Sequence, residues 1–501
     1  MRLLSTNQGQ ARVRLVQAGV ALVSAALIAG CGNNFRPVVT PVTPSGPAAQ
    51  PISYAVVVSA PSPTAGVATI IDYSGDTVMA QAPIGPGPSA FTIDELGANG
   101  YTVNSDGTLT NFPISTTLQQ KQITYSTLPT TAKPVNLMAP SSGLWATDLT
   151  GNVADVFASS PETFKLAIPV TPTPVMIAGS PTLTGQREYA ITQNFADSTG
   201  VACNVSPRTQ PTGLAVPIEI SSFTADTPIP VGVCPVYAIQ TPDLRRLFVL
   251  NRGDDTITVI NSQNNTLDSC APFTNQNGQT VTCHPTLPLS TTAVAATGIT
   301  PPNGTSGMPT IAGPVYAEYN QASSQLVVAD YDGGTVSVID VSLDEYGNDS
   351  STFGTTYTIP VGHDPASVTA LYDGSRAYTA NQSDGTVSIV NLVSHTLEKT
   401  LTVVGHPRTV VSTQNSEYGK VYVASPDSPY LTILQTTTDL VDTTVLLEGN
   451  VVDVRTTTQN GSSGNANYTS RVPGYGQPCN LPIVPQATGT ETPLQVCQAI
   501  P

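Results

Sequence analysis

The sequence predicts an all-β protein, a β-propeller built from four-stranded antiparallel blades. Short segments of alternating apolar and polar residues recur between Gly- and Asp-rich turns, as strands in hairpins do. They recur in units of roughly 40 residues, the size of a propeller blade. Only 10% of the 501 residues are charged, and we find no helical periodicity beyond the first 30 residues.

Residues 1–30 are typical of a signal peptide. Three arginines precede an uncharged stretch over residues 15–30, which is shorter than the about 20 residues that span a bilayer. The stretch ends in Leu27-Ile28-Ala29-Gly30-Cys31, which resembles the lipobox of bacterial lipoproteins. The resemblance implies cleavage before Cys31 and acylation of its thiol and new N-terminus, and two or more acyl chains give a stable anchor. The alternative is an ordinary secretory signal with a chance cysteine.

Residues 31–51 read as the lipidated cysteine and a stiff tether rich in Pro and Thr. We therefore expect an exported, membrane-anchored lipoprotein whose tether holds the folded domain off the membrane. Gly32 is not the Asp that favours inner-membrane retention in enterobacterial lipoproteins. The outer membrane or cell surface is accordingly favoured over the inner membrane.

The mature chain repeats a recognisable unit. Residues 247–261, 326–340 and 377–391 each contain a short strand, a Gly/Asp-rich turn and an alternating second strand. A third strand ending in Val-Gly follows, and a strand that starts at Pro365 or Pro407 opens the next unit. The pattern resembles the YVTN family of β-propeller repeats, with residues 378–381 and 422–425 as its nearest matches. The resemblance is specific over 235–447 and degenerate over 52–234.

The propeller is predicted to span residues 52–459. Eight units can be counted, and seven, the commoner number in that family, is the alternative. The first unit lacks an innermost strand, and residues 451–457 supply one that would close the ring and remove an exposed edge. Residues 460–501 form a C-terminal tail. The units are 52–86, 87–131, 132–172, 173–233, 234–312, 313–363, 364–405 and 406–449.

Six cysteines remain once Cys31 is set aside. An even number in an exported chain indicates disulfides, and six cysteines allow 15 pairings. Proximity in sequence favours Cys203–Cys234, Cys270–Cys283 and Cys479–Cys497, the last pair holding the tail over one face. A metal site is the alternative, but the chain contains no CxxC pair.

The candidate binding face is the one that bears the connections between blades. His363 and His406 each follow Val-Gly just before the next blade, and we group them with Glu318 and Arg408. The alternatives are turn residues at a tolerant repeat position, a His/Cys metal site that includes Cys234, or a cation site formed by acidic residues of the innermost strands. We predict no metal, no cofactor and no catalytic residue.

The composition and motifs also limit the function. A net charge of −16 with 18 Lys and Arg argues against a nucleic-acid partner. Hydrolase, P-loop and dinucleotide-binding motifs are absent, and Trp145, the single tryptophan, argues against tryptophan-rich quinoprotein and WD40 propellers. We expect a binding or scaffolding module for an extracytoplasmic protein, peptide or glycan. A lactonase-like hydrolase, which rests on the resemblance alone, and a structural envelope component are the alternatives.

Overall fold

The computed structural model describes residues 53–457, except residues 95, 130–131, 141–142, 160–161, 180–186, 195–211, 275–277, 279, 290–311, 345–346 and 414. The predicted signal peptide, tether and C-terminal tail therefore lie outside the described residues. So do Cys31, Cys203, Cys479 and Cys497.

Eight antiparallel sheets of four or five strands form the blades, which confirms the eight-bladed propeller and excludes the seven-bladed alternative. The strands are β1 (Tyr54–Ser62), β2 (Ala65–Asp72), β3 (Val78–Ile84), β4 (Ala90–Ile93), β5 (Asn99–Val103), β6 (Thr108–Pro113), β7 (Thr124–Thr127), β8 (Pro134–Met138), β9 (Leu144–Asp148), β10 (Val153–Ser159), β11 (Glu162–Pro169), β12 (Pro174–Gly179), β13 (Arg187–Thr192), β14 (Thr212–Glu219), β15 (Thr224–Ala225), β16 (Ile229–Val233), β17 (Pro235–Gln240), β18 (Arg246–Asn251), β19 (Thr256–Asn261), β20 (Thr266–Leu267), β21 (Phe273–Thr274), β22 (Thr280–Val281), β23 (Thr286–Pro288), β24 (Pro314–Asn320), β25 (Gln325–Asp330), β26 (Thr335–Asp340), β27 (Thr356–Pro360), β28 (Pro365–Ala370), β29 (Arg376–Asn381), β30 (Thr386–Asn391), β31 (Thr396–Thr402), β32 (Thr409–Ser412), β33 (Lys420–Ala424), β34 (Tyr430–Gln435), β35 (Leu440–Leu446) and β36 (Asn450–Thr456).

Blade 1 runs from its inner to its outer edge as β36, β1, β2 and β3. Blades 2, 3, 6, 7 and 8 are β4–β7, β8–β11, β24–β27, β28–β31 and β32–β35. Blade 4 is β12–β16, in which β15 and β16 share the outer edge. Blade 5 is β17–β20 with β23, and β21 and β22 form a separate hairpin. A single 3-10 turn (Gln120–Gln122) is the only helix in the described ranges, and no helix there is long and apolar enough to cross a membrane.

The C-terminal strand closes the ring as predicted. β36 pairs antiparallel with β1, with Val454 opposite Val57 and Thr456 opposite Ala55. Val451 and Val454 are completely buried. The last described strand thus covers the edge that the first strand would otherwise expose.

The middle strands of the blades are buried on both faces, because each sheet packs against a neighbouring sheet on either side. In β26, Val336 and Val338 on one face and Ser337 and Ile339 on the other are all buried. The outermost strands carry more polar residues, as in the largely exposed β31. Alternation along a strand therefore separates two buried faces here, and the polar residues collect on the outer strands.

Polar side chains on the innermost strands link one blade to the next. Asn136 accepts the backbone N–H of Ile177 at 3.0 Å, and Thr369 accepts that of Ser412 at 3.2 Å. Glu318 accepts the N–H of Ala370 at 2.8 Å. These bonds satisfy backbone donors on the free edges of the innermost strands, which would otherwise be buried without a partner.

The prediction that Glu318 lies on the binding face is therefore wrong. Its side chain is completely buried between blades 6 and 7, where it binds backbone. It is not displayed to solvent, because the inner strands meet edge to edge and enclose their polar side chains.

A disulfide-closed insertion interrupts the outer strand of blade 5. β20 leaves the sheet, the hairpin β21–β22 intervenes, and β23 returns to pair with β19. Cys270 and Cys283 are bonded to each other, which confirms that predicted pair. Cys234 is also disulfide-bonded, and its partner lies outside the described residues.

Candidate functional site

The ring has two faces with different connections. Because the four strands of a blade alternate in direction, the turns between second and third strands emerge on the same face as the connections between blades. We call this the upper face. The turns between first and second and between third and fourth strands lie on the opposite, lower face. His363 and His406 precede blades 7 and 8, so both lie on the upper face.

Close backbone approach positions the upper-face turns. A β-carbon on Gly362 would lie 2.7 Å from Cβ of Asn381, and one on Gly232 would lie 2.6 Å from Cγ of Asn251. The Asn381 amide donates to the hydroxyls of Thr386 at 3.0 Å and Ser388 at 2.8 Å. The Val-Gly and the Asn of the repeat therefore form one packed unit, since only glycine leaves room for the Asn below it.

Each predicted histidine is held by an aspartate of the following blade. The backbone N–H of His363 donates to Asp384 at 2.6 Å, and its ring Nδ1 lies 2.7 Å from the other oxygen of that carboxylate. His406 and Asp427 repeat the arrangement at 2.8 Å and 2.5 Å. The two imidazole side chains remain 38% and 61% exposed. A carboxylate at Nδ1 fixes the ring and leaves Nε2 on its opposite side for a ligand.

The aspartate also has a purely structural role. In blade 5 the backbone N–H of Val233, at the position equivalent to the histidines, donates to Asp254 at 3.0 Å. Closing the turn thus requires the carboxylate and not the imidazole. The histidines add an exposed polar ring to a turn that is stable without one.

The electrostatics of the upper face differ from blade to blade. Partial burial would raise the pKa of Asp427, but hydrogen bonds from the backbone and ring of His406 outweigh it and leave that pKa below its ordinary value. Burial raises the pKa of Asp364, beside His363, despite a hydrogen bond from Ser383. Arg252 forms a bidentate ion pair with Asp332 at 2.8 and 3.0 Å. The sector from blade 5 to blade 8 is therefore rich in carboxylates, most of them engaged.

A cavity of about 240 Å³ opens on the same face between blades 8, 1 and 2. Arg408, the fourth predicted residue, lies in its wall, is 4% exposed and donates to the carbonyl of Val452 at 2.7 Å. The rest of the lining is mostly proline and small residues, namely Ala60, Pro61, Ser62, Pro63, Gly87, Pro426, Asn450 and Val452. Proline fixes the backbone, so the cavity wall is rigid.

A metal site receives no support from the described part of the chain. Cys234 is completely buried and disulfide-bonded, so it offers no thiolate beside the histidines. No group of three or more His, Cys, Asp or Glu is placed to hold a metal ion among the residues described.

Asp384 and Asp427 were not predicted from the sequence. Their spacing could have identified them, because each lies 21 residues after its histidine, and Asp254 lies 21 residues after Val233. A constant separation across repeats indicates a contact between equivalent turns.

Comparisons with known proteins give the fold alone. No family model and no curated protein matches the chain. AztD from Citrobacter koseri is similar in structure, with a TM-score of 0.54 at 10% identity over 81% of this chain and 97% of AztD. Its apo structure gives a TM-score of 0.52 at 11% identity over 82% and 98%. A putative 6-phosphogluconolactonase from Bacteroides fragilis gives 0.48 at 15% identity over 82% and 99%. The likeness to the two AztD structures agrees with a β-propeller.

Proposed function

We propose that this chain is an exported, lipid-anchored propeller that binds an extracytoplasmic protein, peptide or glycan through its upper face. The contact surface comprises His363, His406 and the cavity that Arg408 lines. The carrying observation is the pair of exposed imidazoles held by carboxylates on adjacent blades, next to a proline-walled cavity. Its membrane is the outer membrane or the cell surface.

Preorganisation favours this surface as a binding site. A ring held at Nδ1 loses little conformational freedom when its Nε2 meets a ligand, so more of the contact energy appears as affinity. The cavity supplies a concave apolar wall beside these polar groups, the combination typical of ligand sites. Loops on a rigid scaffold are also where binding function usually lies.

The test is capture of a ligand by the purified protein. Candidate peptides, glycans and envelope extracts are passed over the wild type, a His363→Ala/His406→Ala variant and a Ser62→Trp variant that fills the cavity. His395→Ala is the matched control, because this histidine stacks on Tyr357 at a ring distance of 3.6 Å on the lower face. We expect the first two variants to lose capture at an unchanged melting temperature and the control to retain it.

Two other outcomes would redirect the assignment. Capture undiminished in both upper-face variants would place the site elsewhere, and no specific ligand at all would favour a structural envelope role. The first of these outcomes contradicts the proposed site without touching the fold.

A lactonase-like hydrolase is the second candidate, because a carboxylate-bound imidazole can serve as a general base. Against it, no hydroxyl or thiol in the described ranges hydrogen-bonds His363 or His406, so nucleophile activation is not in place. We expect no turnover of lactones or esters. Turnover that the double histidine variant abolishes would establish the enzyme instead.

A further inference from the structure

The lower face carries most of the strongly exposed apolar side chains. Five large apolar residues of the described chain are more than half exposed, and four lie in lower-face turns. These are Leu96 in blade 2, Tyr372 and Val393 in blade 7 and Tyr418 in blade 8, with exposures of 72, 58, 76 and 75%. The fifth, Leu446, ends the outermost strand of blade 8 on the upper side. We call the four residues the lower-face tips.

The chain enters and leaves the propeller on this same face. The backbone N–H of Thr457, the last described residue, donates to the carbonyl of Tyr54 at 2.9 Å, beside the start of the first strand. A β-carbon on Gly97, next to Leu96, would lie 2.9 Å from Cβ of Thr457. In blade 1, Tyr73 donates its hydroxyl to the carbonyl of Tyr418 at 3.0 Å. Two of the tips, Leu96 and Tyr418, therefore lie near the place where the described chain begins and ends.

The charges of this sector are largely neutralised. Lys420 pairs with Asp76, and Arg376 pairs with Asp439. Exposed carboxylates remain at Asp373 and Glu417. A surface of exposed aromatic and aliphatic tips with exposed carboxylates suits a neutral lipid interface and disfavours an anionic one.

We propose that the lower-face tips rest in the headgroup region of a zwitterionic bilayer and orient the propeller with its upper face away from the membrane. The propeller would then contact the bilayer, in place of the separation expected from the tether sequence alone. This inference rests on the proposed lipid anchor at Cys31, which is 22 residues before Ser53, the first described residue. Four tips bind weakly by themselves. A tether converts their contact into an intramolecular one with a high effective concentration.

The experiment uses the mature-length chain with Cys31→Ser and an N-terminal histidine tag bound to nickel-chelating lipid in phosphatidylcholine vesicles. This tether works whether or not the natural chain is lipidated, so failure of the orientation and failure of the anchor are distinguishable. Trp145 is the only tryptophan and is completely buried. Tyr418→Trp and Tyr372→Trp therefore each report on one lower-face tip. Tyr430→Trp is the matched control, because Tyr430 is a partly exposed tyrosine at the upper-face end of β34 in blade 8.

We expect brominated phosphatidylcholine to quench the tryptophans at 418 and 372 and to leave those at 430 and 145 unaffected. Replacing all four tips by Ser should lower the untethered vesicle partition coefficient by about tenfold or more, whereas Leu446→Ser should not. Adding phosphatidylglycerol should weaken partition.

Three results would overturn the proposal. One is equal quenching at 418 and 430, and a second is no quenching at 418. The third is quenching that appears only after truncation following Thr457, which would mean that residues 458–501 cover the lower-face tips.

Discussion

Asp155 offers the sharpest test of how the blades are packed. In blades 5, 6 and 7 an Asn or Asp ends the second strand, and a Thr or Ser seven residues later forms a hydrogen bond with it. These hydroxyl residues are Thr258, Ser337 and Ser388. In blade 3 the equivalent position, seven residues after Asp148, is Asp155, which is 1% exposed. Neither of its carboxylate oxygens has a hydrogen-bond partner. Burial, together with the charge of Asp148, raises the pKa of Asp155 from 3.8 to about 7.

The sign of the pH dependence follows from that pKa. The unfolded carboxyl ionises near 3.8 and the folded one near 7, so folding takes up a proton between these values. Stability is therefore lost as the pH rises from about 4 to about 7, and the loss is complete above that. The full difference corresponds to about 4 kcal/mol. Relaxation of the surroundings reduces it, and we expect about 2 kcal/mol.

Asp155→Ser should accordingly stabilise the protein at pH 8. With an unfolding entropy of about 2.1 cal/mol/K per residue over roughly 400 residues, the melting temperature should rise by about 2 °C. The difference from wild type should shrink towards pH 4, where the folded carboxyl is neutral and the unfolded one is partly protonated. Asp155→Asn keeps the size and removes the charge, so it should behave similarly.

The assay is thermal melting of wild type and variants between pH 4 and 8. Asp442→Ser, on the exposed outer strand of blade 8, is the control for loss of any carboxylate and should leave the melting temperature within error. A variant at 155 that is less stable at pH 8, or a difference from wild type that does not change with pH, would refute the argument. Asp330 and Asp268, whose pKa values are also raised by burial, to about 7 and about 6, contribute equally to both curves and cancel in the difference.

Three further predictions concern the ring, the insertion and the anchor. Truncation after Gly449 removes β36 with its buried Val451 and Val454, so the ring should open and cooperative melting be lost, whereas truncation after Thr457 should preserve it; equal melting of the two would contradict closure by β36. Cys270→Ser should lower the free energy of unfolding by about 3 kcal/mol, since the disulfide closes a loop of 13 residues. Urea unfolding with and without reductant measures this loss, and a wild type whose stability does not respond to reductant would contradict it. Cys31→Ser should abolish lipid-dependent cleavage, and intact mass of the mature wild type should show an acylated Cys31; an unmodified N-terminus at another residue would exclude the anchor.

Much of the architecture was predictable because a propeller repeats one local solution. Turn residues and strict alternation of apolar and polar residues indicate each hairpin, and the length of the sequence repeat indicates one blade. The surplus strand at 450–456 was recognisable for the same reason, since an incomplete first unit and a spare last strand fit together in a closed ring. The pair Cys270–Cys283 followed from proximity in sequence.

Only part of the candidate site could be predicted from the sequence. His363 and His406 could be assigned to one face, because equivalent connections in a closed ring emerge together. Their partners Asp384 and Asp427 come from turns 21 residues further along the chain, and only the folded blade brings carboxylate and imidazole to hydrogen-bonding distance.

Tertiary structure alone decided whether a polar side chain on an innermost strand reaches solvent. The sequence around Glu318 would equally fit a carboxylate exposed in the central channel, yet Glu318 accepts a hydrogen bond from a backbone N–H of the next blade. Local sequence determines which face of a strand a residue occupies, since side chains alternate. Whether that face meets water or a neighbouring blade depends on how the eight blade sheets pack around an axis. The contacts between blades join residues that are far apart in sequence, so no local pattern predicts them.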